Sequence, residues 1–121
     1  MSTQITGHVR SSTADAAITK NLVVKNTSTG VDVATAGTDK ICGVAITTAA
    51  ITEQVSVQFT GTVKCTASAA ISKGAWVTAT TGGKIVTTTT DKNVAVGQAM
   101  EAATADGDLI EVQLGIHTLS V

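Results

Sequence analysis

The chain reads TADAAITKN at residues 13–21 and TASAAISKG at residues 66–74, so nearly the same nine residues recur 53 positions later. Six of the nine are identical, and the exchanges Asp15/Ser68, Thr19/Ser72 and Asn21/Gly74 stay small and polar. The likeness extends in one order in both directions. Upstream, TGHVR (6–10) matches TGTVK (60–64) with one residue of slippage. Downstream, NLVVKNTSTGVDVAT (21–35) matches GAWVTATTGGKIVT (74–87), TDKICGVAI (38–46) matches TDKNVAVGQAM (90–100), and VSVQFTG (55–61) matches IEVQLG (110–115). Blocks kept in register over most of the chain point to an internal duplication. Repeat one covers residues 6–59 and repeat two residues 60–114. An N-terminal arm (1–5) and a C-terminal tail (115–121) lie outside, in one domain of 1–121. The period is too long, and the copies too few, for a solenoid array. Two half-domains closing one shared core about a pseudo-twofold axis are expected instead.

Each repeat reads as the same series of short elements. A strand (GHVR, GTVKC) leads into TADAAI or TASAAI, where the Thr hydroxyl would cap one helical turn. Asn21 and Gly74 then stand where the chain leaves that turn through positive φ. A hairpin follows, turning at TSTG in one repeat and TGGK in the other, then a strand, a polar turn and a closing strand. In VSVQF and IEVQL apolar and polar residues alternate, which predicts one buried and one wet face. Thr is the commonest residue, there is no Pro, and Phe59 and Trp76 are the only large aromatics. β-branched residues sit well on a pleated surface and lose χ1 freedom in a helix. The expectation is an all-β fold with one or two short helical turns, a small barrel or sandwich of two tandem pseudo-symmetric β-repeats.

Charge and motifs exclude more than they assign. Eight basic residues against nine acidic ones argue against a nucleic-acid binder, which needs a basic surface to displace phosphate counterions. No apolar run reaches the roughly 18 residues of a membrane span, and no export signal opens the chain. Cys42 and Cys65 lie in apolar or strand-like stretches and read as reduced, buried thiols. His8 and His117 stand far apart without ligand spacing, so neither a metal nor a catalytic base is indicated. TTGGK lacks the spacing and context of a phosphate loop and reads as a hairpin tip. Asp106, Gly107 and Asp108, with Glu101 and Glu111 nearby, offer too few oxygens for calcium and read as a solvated turn. Lys40 and Lys92, each after an Asp, are loop charges rather than swinging-arm lysines. Trp76 matches Val23 of the first repeat and is expected to be buried, like Phe59, as a core or interface anchor. No enzyme activity and no cofactor are indicated.

The series AAISKGAWV, hairpin, TDKNVAVGQAMEAA, polar turn, IEVQLG resembles the tailed-phage capsid cement and decoration proteins over roughly residues 6–115. The resemblance implies an all-β structural protein made in the host bacterial cytoplasm and carried on the capsid exterior. It further implies self-association, usually as a trimer, at threefold or quasi-threefold positions. There it would clamp neighbouring major capsid proteins, contacting neither nucleic acid nor membrane. The unduplicated ends would then supply contacts to capsid or neighbouring subunit: Ser2, Thr3, Gln4, Ile5, His8 and Arg10 at one end, Ile116, His117, Leu119 and Val121 at the other. The alternatives are another structural β-module (head-fibre, tail or surface-adhesin domain) and a small sugar-binding barrel.

Overall fold

The computed structural model describes residues 8–88 and 93–118. Its ten strands fall into two five-stranded antiparallel sheets, one per repeat. Repeat one contributes β1 (Val9–Thr13), β2 (Val23–Asn26), β3 (Val31–Val33), β4 (Ile41–Ala45) and β5 (Gln54–Gln58), in the spatial order β1-β5-β4-β2-β3. Repeat two contributes β6 (Thr62–Thr66), β7 (Trp76–Ala79), β8 (Ile85–Thr87), β9 (Val94–Ala99) and β10 (Leu109–Thr118), in the matching order β6-β10-β9-β7-β8. The likeness extends to the defects: the β2–β4 ladder slips between Val24 and Lys25, and the β7–β9 ladder between Val77 and Thr78. Both sheets are open. A single parallel bridge, Ala14 to Val31 and its counterpart Ala67 to Ile85, draws the outer strands together at one end, but neither sheet closes into a barrel.

The repeated nine-mer does not make the expected helical turn. Its amides are used by other segments instead, which removes the i→i−4 bonds a helix needs. Ala14 N donates to Glu53 O at 2.9 Å and Asp15 N to Val31 O at 2.8 Å, while Ile18 and Ala49 exchange two bonds of 2.9 Å. Repeat two copies this with Ala67, Ser68, and the Ile71–Ala103 exchange. Ala14, Ile18, Ala67 and Ile71 are all buried, so the motif is a lid that seals one end of each sheet. Asn21 (φ 71°) and Gly74 (φ 89°) do leave it through the left-handed region. The one helical turn among the described residues is a 3-10 turn, Thr81–Gly83, at the tip of the β7–β8 hairpin.

The acidic turn is likewise structural. Asp108 Oδ2 accepts from Thr104 N (2.9 Å), Thr104 Oγ1 (2.9 Å) and Ala105 N (3.2 Å). Asp39 Oδ2 does the same for Thr35 N (2.8 Å), Thr35 Oγ1 (3.2 Å) and Ala36 N (3.1 Å). These bonds, led in each case by the Thr amide, hold both carboxyls below the usual aspartate range. A depressed native pKa contributes stability above the unfolded value near ~3.9, and that contribution is lost as pH falls through the native value. Asp39→Asn keeps the shape without the charge. It is expected to cost about 1 kcal/mol at pH 7 and to flatten the loss of stability below about pH 4, read by urea melts across pH.

The two sheets stack through unlike faces. Cross-strand pairing places Val23, Val44 and Gln58 in one row on the back of sheet one. All three are fully buried, and Val23 and Val44 join the core of repeat two together with Ala34 and Ile41. Gln58 Nε2 ties the row to the next repeat by donating to Thr60 O (2.8 Å) and Thr62 O (2.9 Å). What they cover is the front of sheet two, formed by Val63, Cys65, Ala79, Val112 and Leu114. The front of sheet one, with Val24, Val31, Ala45, Val55 and Val57, builds a separate small core with its own lid. This corrects the expected twofold closure. A twofold axis would bury equivalent faces against each other, whereas here the back of one repeat lies on the front of the next.

Candidate interaction surface

Stacking back onto front leaves the front of sheet one and the back of sheet two without a second sheet over them among the described residues. On the exposed front of sheet one lies an open cavity of about 700 Å³. Arg10, Ser12, Asn26 and Cys42 line it with Val57, and Phe59, Thr60 and the β10 residues Leu114–Ile116 form its rim. Four of the five sheet-one wall residues have partners in repeat two fixed by the ladders: Arg10 corresponds to Val63, Ser12 to Cys65, Asn26 to Ala79 and Val57 to Val112. Those counterparts are buried under repeat one. The polar exchanges at three of the four positions are what a surface meeting water in the free chain requires.

On the back of sheet two, over which no second sheet lies among the described residues, Trp76, Gln98 and Gln113 form the row equivalent to Val23, Val44 and Gln58. A smaller depression of about 250 Å³ lies among them and Leu114–Gly115. Trp76 is 43% exposed, which corrects its expected burial: the row that carries it has no repeat behind it. Phe59, at 39%, is also not a core residue. It stands at the groove rim and stacks on His8, with ring centroids 5.7 Å apart and planes 20° from parallel. Thr60 Oγ1 accepts from His8 N at 2.6 Å, fixing that corner.

Of the residues singled out from the sequence, the fold thus gathers His8, Arg10, Phe59 and Ile116 around one groove and places Trp76 at a separate depression that shares Leu114 and Gly115 with it. His117 pairs with Ala95 on the continuing β10 strand. Ser2, Thr3, Gln4, Ile5, Leu119 and Val121 lie outside the described residues. Cys42 was missed, and so were Ser12 and Asn26, although these two differ in character from their repeat counterparts Cys65 and Ala79.

Among the described residues no group of three His, Cys, Asp or Glu side chains could hold a metal. Both thiols are free. Burial pushes Cys65 up to about 12, and it raises Cys42 as well, with the Arg10 charge pulling the other way. Neither is a thiolate nucleophile at neutral pH.

The family model described as phage cement protein matches residues 4–114. The chain belongs to the phage cement protein family. It is therefore a non-catalytic structural phage protein of the virion exterior, synthesised in the host cytoplasm. No curated protein matches the sequence. Among solved structures, this cement-family chain is similar to the N base of head fibre gp8.5 of bacteriophage phi29, with a TM-score of 0.70 and 17% identity over 94% of this chain and 98% of that one. At that identity the likeness is one of fold. It spans both repeats.

Proposed function

We propose that this protein seats on the outside of a phage head as a self-associating base of the head-fibre kind. The observation that carries the reading is the near-complete mutual coverage with a head-fibre base, which extends over both sheets. The two uncovered faces suit it, because a base must bind its neighbours while presenting a fixed shape to the shell. The second reading is the cement role itself, favoured by the family match. In it a trimer at threefold or quasi-threefold positions clamps neighbouring major capsid proteins. Three weak contacts made together become effectively intramolecular, so avidity replaces one large interface. The near-neutral charge favours polar and apolar contact over electrostatic capture.

Bare and decorated heads separate the readings. Purified chain should co-sediment with expanded heads of its phage and saturate at a fixed copy number. Under the base reading, stripped and decorated heads lose DNA at the same temperature. Under the cement reading, stripped heads lose it several degrees lower. Absence of co-sedimentation would sink both.

A further inference from the structure

We propose that the exposed Trp76–Gln98–Gln113 face of one copy seats in the Arg10–Ser12–Asn26 groove of a second copy, repeating between chains the contact that joins the two repeats within one. The inference deepens the self-association in the reading above by naming its two surfaces, and it stands without any capsid.

The argument is one of register. Within the chain, the back row Val23–Val44–Gln58 is buried against the following repeat, whose front contains Val63, Cys65 and Ala79. The ladders make Trp76–Gln98–Gln113 the same row of the next sheet, and Arg10, Ser12 and Asn26 the same front positions of the previous one. Donor row and acceptor front thus already exist as a working pair, and each chain carries one further member of each that has no second sheet over it among the described residues. Their departures from the internal pair match. Val23 is replaced by the much larger Trp76, while the acceptor that must take it is the one with about 700 Å³ open. Val44 is replaced by Gln98, while the acceptor gains a hydroxyl, an amide and a guanidinium that can hydrogen-bond it. An aromatic anchor entering a pocket with Arg on its wall is the composition of an interface hot spot. The internal joint is largely aliphatic; the outer one is amphipathic on both sides, as a surface that meets water when open requires.

Such a contact is heterologous, so it propagates until a ring closes. Closure at three chains gives the trimer considered above.

The test uses the full chain, followed by native mass spectrometry and light scattering. Wild type should form a discrete closed oligomer at micromolar concentration. Trp76→Glu, which removes the anchor, and Asn26→Trp, which plugs the groove, should each weaken association about a hundredfold or more. Both sites are exposed, so circular dichroism should match wild type. Mixing the two variants leaves one intact donor and one intact acceptor, so they should pair one-to-one and stop there. Ile51→Glu, at an exposed turn outside both surfaces, should assemble as wild type does. A monomeric wild type, unchanged assembly in either variant, a mixture that stays monomeric, or equal disruption by Ile51→Glu would each overturn the proposal. None of these outcomes depends on whether the chain binds a phage head.

Discussion

Val23→Asp is expected to leave little folded protein at room temperature. Val23 is fully buried where the back of repeat one meets the core of repeat two. The change removes about 2 kcal/mol of apolar burial and places a carboxylate among aliphatic side chains, where desolvation costs several kcal/mol more. A total above about 4 kcal/mol consumes much of the stability of a chain this size. The same substitution at the equivalent position of the other repeat, Trp76→Asp, should shift the unfolding free energy of the dilute, unassembled chain by about 1 kcal/mol or less. Urea melts at submicromolar concentration read the contrast. Similar losses at both positions would mean that the sheets do not stack back to front.

Gly97→Ala should be nearly as damaging, for a different reason. β9 lies so close to β10 at this point that a methyl group on Gly97 would drive into the carbonyl oxygen of Gln113. That atom is backbone and cannot rotate away, so the central strands must part and strain their ladder. Overpacking against a rigid neighbour makes about 3 kcal/mol the expected cost, read as a drop in Tm well over 5 °C. Gly74→Ala provides the comparison. Gly74 needs its positive φ, but nothing stands within 4 Å of its missing methyl, so about 1 kcal/mol is expected. If Gly74→Ala proved the worse of the two, the tight approach of β9 to β10 would be wrong.

The duplicated architecture was legible because the repeat preserves what local geometry needs: hairpin turns, the two positive-φ sites, and strands alternating in VSVQF and IEVQL. The nine-mer misled because small residues after a Thr suit a helix start as well as a bridge, and only partners 17 to 32 residues away in sequence decide between them. The groove was hidden by one residue of register. Matching TGHVR to TGTVK pairs Arg10 with Lys64 and makes the first strands look alike. The ladders instead pair Arg10 with Val63, and a one-residue slip in a strand exchanges its two faces. Read in the correct register, Arg10, Ser12 and Asn26 against Val63, Cys65 and Ala79 announce that one copy of the sheet is capped and the other is not. Trp76 was misjudged on the same logic. Equivalence to a core valine says where a residue sits in its sheet, but not whether anything lies behind that sheet.

One edge of each sheet is a strand of three residues, β3 (Val31–Val33) or β8 (Ile85–Thr87), while the other edge, β1 or β6, has five. The shorter margin exposes too few unpaired amides and carbonyls to template an added strand. Molecules crowded side by side on a particle, or held for long periods at high concentration, therefore lack a long free border there along which to zip into fibrils.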